Sequence, residues 1–152
     1  MRHLAPVLAV LLLAGCQEAE HIEVQPGDIL HLKIEDSDWE LNQTDVYEVS
    51  ADSVTVYDKE LPDEIIESVP ISKESGIWTE INRIDKIYTE SMIDENVFDG
   101  TSLIFVFTLR NGETVQTHVS NLIIDEYAAV TRAISNAVAH SIHYHQCDSK
   151  RY

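Results

Sequence analysis

The chain has 152 residues, of which 27 are Asp or Glu, 10 are Lys or Arg and 7 are His, and its formal net charge is -17. This balance argues against binding to nucleic acid, whose phosphates require a basic protein surface, and against electrostatic attachment to anionic lipid headgroups. Residues 16–100 contain 23 acids and five bases, whereas residues 101–152 contain four of each. We interpret the acidic first part as a solvated face rather than as a dedicated site for cations.

The N-terminal segment has the pattern of an export signal. Met1-Arg2-His3 is basic, residues 4–13 are mostly apolar, and Ala14-Gly15 are small. The apolar run is too short to span a bilayer as a helix, which takes roughly 20 residues. The alternatives are an ordinary secretory signal with a coincidental cysteine and a buried amphipathic start.

The end of this segment, Leu13-Ala14-Gly15-Cys16, resembles the lipobox of bacterial lipoproteins. The resemblance implies cleavage between Gly15 and Cys16, a diacylglycerol on the Cys16 thiol and usually a third acyl chain on the new amino terminus. Such lipids, palmitate among them, would anchor the protein stably without a transmembrane helix. Gln17 follows the cysteine, which in lipoproteins of this kind favours the outer membrane, facing the periplasm. Cys147 would then lack a disulfide partner within the chain and would be buried, bound to metal or available to another molecule.

The lipobox also sets the predicted domain boundaries. Residues 1–15 form the cleaved signal, and residues 16–27, which are polar and end in Pro26-Gly27, form a flexible lipidated tether. A single domain follows over residues 28–147, and residues 148–152 form a C-terminal tail. The length suits one hydrophobic core rather than two.

The first half of the domain is predicted to be mostly β. Alternation over residues 28–34 indicates a half-buried strand with Leu30, Leu32 and Ile34 on its inner side. An acidic loop over residues 35–45 precedes a hairpin formed by residues 46–49 and 53–57. The loop opens like a calcium-binding EF-hand, but Leu41 replaces the required Gly and Tyr47 replaces the bidentate Glu, so no calcium site is predicted.

The second half is predicted to end in a helix. Residues 58–75 form an irregular connection with one short strand or turn near residues 65–69, and residues 77–88 form a helical turn that leads into a strand. Residues 102–109 and 114–119 form a hairpin, in which Asn111-Gly112 is placed for a type I′ turn. A helix begins with Asp125 as its cap and carries an apolar stripe, which consists of Tyr127, Val130, Ile134, Val138 and Ile142.

The predicted fold class is therefore α+β, an antiparallel sheet or bent barrel closed by one long C-terminal helix. Strands, an Asn-Gly hairpin and a final amphipathic helix resemble the pleckstrin-homology superfold, and Trp78, Ile81 and Ile84 are the most suggestive local sequence. Phosphoinositide binding is not implied, because the early strands lack the basic residues that it requires.

Enzyme signatures are absent from the sequence. It has no glycine-rich phosphate loop, no dinucleotide fingerprint and no Gly-x-Ser-x-Gly elbow. We therefore predict a protein that is not an enzyme and has no obligatory cofactor.

One cluster of potential metal ligands lies near the C-terminus. If the last helix continues, His140, His143 and Cys147 lie on one face of it, and two imidazoles and a thiolate suit Zn²⁺ or Cu²⁺. Water, His118 or a partner would supply the fourth ligand. The alternatives are histidines that only interact with the helix dipole, and an interface that uses Tyr144 and Cys147.

The sequence thus predicts a lipid-anchored lipoprotein of the bacterial envelope that acts as a binding or scaffolding module. The expected partners are the membrane, through lipid on Cys16, and an envelope protein of unknown identity. The alternative is an envelope metal-binding protein that uses the C-terminal cluster.

Overall fold

The computed structural model describes residues 19–38, 42–95, 102–140, 142 and 150–151, and Cys16, His143 and Cys147 lie outside these ranges. The elements in chain order are β1 (His21–Glu23), β2 (Ile29–Asp38), β3 (Gln43–Val49), β4 (Ser53–Asp58), β5 (Ile65–Pro70), α1 (Gly76–Ile81), β6 (Lys86–Tyr88), β7 (Met92–Ile93), β8 (Ser102–Leu109), β9 (Thr114–Ser120), β10 (Leu122–Ile123), α2 (Asp125–Ala137) and β11 (Lys150–Arg151).

Seven strands form one open sheet in the order β5-β4-β3-β2-β8-β9-β7. All neighbours are antiparallel except β7 and β9, which are parallel. The α+β class, the mainly antiparallel sheet and the C-terminal helix are therefore confirmed. The sheet is not closed, since β5 and β7 are its two edges within the part of the chain that the structure describes, and the predicted barrel is not found.

The core lies on one face of the sheet. In β8 every second residue is buried, and its inward residues Phe105 and Phe107 have ring centroids 4.8 and 5.5 Å from that of Tyr127 on α2. Such alternation is the mark of a strand with one buried face. The helix α1 packs against α2 and adds Trp78 and Ile81 to the same core. No helix among the described residues is long and apolar enough to cross a membrane.

A β-bulge changes the predicted inward face of β2. The pairing of β2 with β8 shifts between Ile29 and His31, so that Ile29 is buried and Leu30 is 46% exposed. Leu32 and Ile34 are buried as predicted. The prediction was wrong for Leu30 because β2 has an extra residue at the bulge. Before the bulge, the alternation of inward and outward side chains is therefore reversed.

The predicted acidic loop is largely strand. β2 continues to Asp38 and β3 already begins at Gln43, which places Asp36 directly opposite Asp45. The hairpin of β3 and β4, the short strand β5 and the succession of α1 and β6 are confirmed. The charged residues at the end of β2 and the start of β3 favour a loop on composition alone. Composition does not show that these two segments pair with each other as strands.

The predicted tether is partly folded. β1 pairs with β6, the Val24 amide donates to the Asp85 carbonyl at 2.9 Å, and the Val24 side chain is 4% exposed. Residues 21–27 therefore belong to the domain, contrary to the prediction of a flexible tether over residues 16–27. A three-residue strand is too short for its alternation to be recognised in the sequence.

The turn between β8 and β9 differs from the predicted type I′ turn. Gly112 has a φ of +88°, whereas Asn111 does not adopt a positive φ. The turn spans residues 110–113, closed by a hydrogen bond from the Leu109 amide to the Glu113 carbonyl at 2.8 Å, and the Asn111 side chain accepts from the Glu113 amide at 2.9 Å. Because the loop has four residues rather than two, only the glycine needs a left-handed conformation.

The final helix is shorter than predicted. α2 ends at Ala137, and Val138 already has an extended ψ of 153°. The Glu67 carboxylate of β5 accepts from the Ala139 and His140 amides at 2.9 to 3.1 Å, so these amides bond to the sheet instead of continuing the helix. Ile124, not Asp125, is the N-cap, and Asp125 lies in the first turn, where a negative charge favours the helix dipole.

Candidate ligand-binding site

A cleft of about 400 Å³ opens where the start of β2, the β3–β4 turn, α1 and the β8–β9 turn meet. We call it the Trp78 cleft. Clefts of roughly 300–1,000 Å³ are typical of small-molecule sites. Its lining residues are Gly27, Ile29, Leu30, Ala51, Lys73, Trp78, Asn82 and Arg110.

Trp78 is held in place by two different hydrogen bonds. Ser75 is the N-cap of α1, and its side chain accepts from the Trp78 amide at 3.5 Å. The indole Nε1 donates to the Ser50 carbonyl in the β3–β4 turn at 3.1 Å. Because its polar group is bonded within the protein, the indole contributes apolar surface to the cleft.

Gly27 connects three walls of the cleft. Its amide donates to the Asn82 side chain at 2.9 Å, and its carbonyl accepts from Arg110 Nη2 at 2.8 Å and Nε at 3.1 Å. Its φ of +88° is left-handed, and a Cβ there would lie 3.3 Å from Arg110 Nη2. Glycine is therefore favoured by the left-handed backbone conformation, and a Cβ would also require Arg110 to shift by a few tenths of an ångström.

The charge of the Trp78 cleft is opposite to that of the chain. Lys73 and Arg110 line it, and no Asp or Glu among the residues that the structure describes does. Elsewhere, Lys33 and Lys59 pair with Glu35 at 2.8 and 2.6 Å, and these cations hold the pKa of that carboxyl below its usual value although burial opposes them. Within the described ranges no carboxylate forms an ion pair with Lys73 or Arg110.

A second cavity of about 410 Å³ shares Arg110 with the Trp78 cleft. Its lining includes three acids, Glu23, Asp28 and Glu113, together with apolar residues of β1 and β8. Arg110 therefore lines both an acidic cavity and a cleft whose charged residues, among those described, are Lys73 and Arg110.

The predicted metal residues are brought together only in part. His140 lies beyond the end of α2, so the argument that placed it on one helix face with His143 and Cys147 does not hold. Its Nε2 lies 2.7 Å from Asp45 Oδ2. His118 faces the opposite side of the sheet, where it hydrogen-bonds to Ser102 at 2.8 Å. The part of the chain that the structure describes contains no group of three or more potential metal ligands.

His140 instead belongs to a polar cluster that holds the end of the chain against the sheet. We call this cluster, formed by Asp45, Tyr47, Glu67 and His140, the Glu67 clasp. The Tyr47 side chain is fully buried, and its hydroxyl has no hydrogen-bond partner among the described residues. Burial raises the pKa of Tyr47, and the nearby carboxylates, Asp36 among them, raise it further. The Glu67 clasp lies at the opposite end of β3 from the Trp78 cleft.

The residue pattern of the sequence does not predict the Trp78 cleft. Trp78 was interpreted as a fold marker, Pro26-Gly27 as the end of a tether, and Arg110 as a turn residue. The only signal in the sequence was that bases are rare, with 10 in the whole chain. No family model, curated protein or solved structure matches this chain, so the cleft is interpreted from its own residues.

Proposed function

We propose that the protein is a lipid-anchored binding module of the bacterial envelope that holds a small ligand in the Trp78 cleft. The observation that carries the proposal is a concave, largely apolar cleft of about 400 Å³ with a small number of fixed polar groups. This combination characterises small-molecule sites. The hydrogen bonds of Gly27 and Trp78 support it because they hold the walls in place before a ligand arrives.

The envelope location rests on the lipobox resemblance of Leu13-Ala14-Gly15-Cys16. Lipid on Cys16 would hold the domain beside a membrane, while the acidic surface would keep it off anionic headgroups. A protein partner in the envelope remains part of the proposal, because a ligand-binding module commonly passes its ligand or its ligand-bound state to another protein.

The binding proposal is tested with a neutral apolar fluorophore, N-phenyl-1-naphthylamine, and the mature chain from residue 16 carrying Cys16→Ser. All described elements lie after residue 18, so this chain retains them. We expect saturable binding at one site. Ala51→Phe, which fills the cleft from its exposed rim, should weaken binding by at least about tenfold, a change of about 1.4 kcal/mol.

The matched control is Ala137→Phe, which adds the same ring at the exposed end of α2, outside the cleft. It should bind the fluorophore like the parent chain. Equal binding by the parent and Ala51→Phe would place the fluorophore outside the cleft and contradict the proposal. If the fluorophore does not bind saturably, calorimetric titration with decanoate replaces it, and absence of binding in both measurements would refute the proposal.

The alternative from the sequence, binding of Zn²⁺ or Cu²⁺ by His140, His143 and Cys147, is not adopted. His140 Nε2 already interacts with Asp45, and the other two residues lie outside the described ranges. The resemblance to the pleckstrin-homology superfold also stays a prediction. The open sheet does not support its barrel form, and the proposed function does not depend on it.

A further inference from the structure

We infer that the Trp78 cleft takes an amphipathic anion, a molecule with an apolar body and one carboxylate or phosphate head. This inference rests on the proposed function, since it names the chemical class of the ligand held in the same cleft. Four observations support it: the charge of the lining residues, the free donors of Arg110, the exposure of Leu30 and the acidic cavity that shares Arg110 with the cleft.

The lining residues favour a negative charge. Lys73 and Arg110 are two of only 10 bases in a chain with 27 acids, and both line a cleft that no acid of the described segments lines. At physiological ionic strength, charges are screened beyond about 8 Å. The attraction of Lys73 and Arg110, which line the cleft, is therefore screened least, while Glu23, Asp28 and Glu113 of the adjoining cavity oppose it near Arg110.

Arg110 is fixed in position and still has donors to offer. Its Nε and Nη2 hold the Gly27 carbonyl at 3.1 and 2.8 Å. A guanidinium has five N–H groups in a planar fork, so three remain after these two bonds. A fixed fork suits the paired oxygens of a carboxylate or phosphate, because little conformational freedom is lost on binding.

Lys73 supplies a second, more adaptable charge. Its side chain is exposed at the rim of the cleft and forms no ion pair within the described ranges. Its charge acts on the neighbouring Glu74, whose pKa is lowered by hydrogen bonds from Ser72 and its own backbone and, to a smaller extent, by Lys73. An ammonium on a flexible stem can follow the head group of the ligand. Arg110 and Lys73 thus have different roles, the first positioning the anion and the second adding attraction.

The apolar part of the ligand would cover mainly Leu30, because Trp78 lines the cleft but is only 6% exposed. The β-bulge turns Leu30 outward, where 46% of it is exposed, although it lies in the central part of the sheet. A bound apolar group would remove this surface from water, which favours binding. Ile29 contributes further apolar surface beneath it.

The second cavity determines the direction of the ligand. Glu23, Asp28 and Glu113 line the cavity that shares Arg110 with the cleft, and they would repel an anionic head from that cavity. The head is therefore expected between Arg110 and Lys73. A cationic amphiphile is expected to prefer the acidic cavity and to compete poorly for the cleft.

The test measures displacement of N-phenyl-1-naphthylamine by four ligands of equal chain length, below their micelle concentrations and near 0.15 M salt. The ligands are decanoate, decyl phosphate, decanol and decylammonium. We expect both anions to displace the fluorophore at least about tenfold more effectively than decanol, and decylammonium to be the weakest. Comparing decanoate with decyl phosphate shows which head group is preferred.

The charge dependence is tested with Lys73→Gln and its matched control Arg132→Gln. Both remove one positive charge from an exposed side chain, but Arg132 lies on α2 outside the cleft. Lys73→Gln should reduce the preference for anions over decanol at least about threefold, and Arg132→Gln should leave it unchanged.

Two results would overturn the inference while leaving the proposed function intact. One is equal displacement by decanol and decanoate, and the other is an anion preference that Lys73→Gln does not change. If the fluorophore itself does not bind, calorimetric titration with decanoate decides the matter. Absence of binding there refutes both proposals, whereas decanoate binding that Lys73→Gln weakens supports them.

Discussion

At the scale of single residues, Tyr47 is the least satisfied side chain in the described core. Its ring is fully buried and packs 6.3 Å, centroid to centroid, from that of His140. Its hydroxyl has no hydrogen-bond partner in that part of the chain. A buried polar group without a partner costs about 1–3 kcal/mol, so this hydroxyl reduces the stability of the fold.

We expect Tyr47→Phe to raise the free energy of unfolding by about 1 kcal/mol, because it removes the unsatisfied hydroxyl and keeps the ring. Urea unfolding at neutral pH measures the change. The matched control is Tyr127→Phe, which removes a hydroxyl that donates to the Lys86 carbonyl at 3.5 Å and accepts from the Tyr88 amide at 3.4 Å. This control should lower the free energy of unfolding.

The stability of Tyr47→Phe should also depend less on alkaline pH than the stability of the parent chain does. The raised pKa of Tyr47 means that the folded protein keeps this phenol neutral at a pH where the unfolded chain, with a value near 10.0, ionises. The resulting contribution to stability is present below pH 10 and is lost as the pH rises above it. Between about pH 9 and pH 11, parent stability should fall more steeply than that of Tyr47→Phe. Parallel curves would contradict the assignment.

At the scale of the elements, the ends of the domain are held by contacts that the local sequence does not show. β1 is held by β6, and the segment after α2 is held by the Glu67 carboxylate. Both ends therefore depend on partners 60 or more residues away, since Glu23 pairs with Lys86 and Glu67 bonds to Ala139. Such long-range pairing explains why the predicted tether proved to be folded and the predicted long helix proved to be short.

A substitution in the segment after β1 tests whether this segment is folded onto the domain or is a flexible tether. Val24→Ala should lower the free energy of unfolding by about 1–3 kcal/mol, because it leaves a cavity in the core. Gln25→Ala, at the neighbouring exposed position, is the control and should change it by less than about 0.5 kcal/mol. Chemical unfolding of the chain from residue 16 measures both. A flexible tether would require both variants to match the parent.

At the scale of the whole molecule, the two features of interest lie at opposite ends of β3. The Glu67 clasp is at the acidic end, where Asp36 faces Asp45, and the Trp78 cleft is at the end that Lys73 and Arg110 line. A ligand in the cleft would therefore not disturb the contacts that hold the C-terminal segment. If the chain is anchored through Cys16, only a few residues of sequence separate the attachment from β1, which begins at His21.

The anchor is tested with Cys16→Ser in the full-length chain. We expect this variant to incorporate no labelled palmitate and to remain uncleaved, because the thiol that accepts the lipid is missing. Cys147→Ser, which removes the second cysteine of the chain, is the control and should be labelled and processed like the parent. Labelling and cleavage of Cys16→Ser would show that the lipobox interpretation is wrong.

The sequence by itself determined the features that depend on local pattern. The alternation in residues 102–109 predicted β8 with its buried face, and the stripe of Tyr127, Val130 and Ile134 predicted the buried face of α2. Local pattern suffices there because the spacing of apolar residues directly reflects the geometry of the strand or helix.

Only the tertiary structure decided which residues form the Trp78 cleft. Gly27, Trp78 and Arg110 are separated by tens of residues and are brought together by the pairing of β2 with β8 and by hydrogen bonds to backbone carbonyls. The outward turn of Leu30 likewise depends on a bulge in that pairing. Strand partners and bulges are set by the packing of the whole sheet, so the residue pattern of one segment does not contain them.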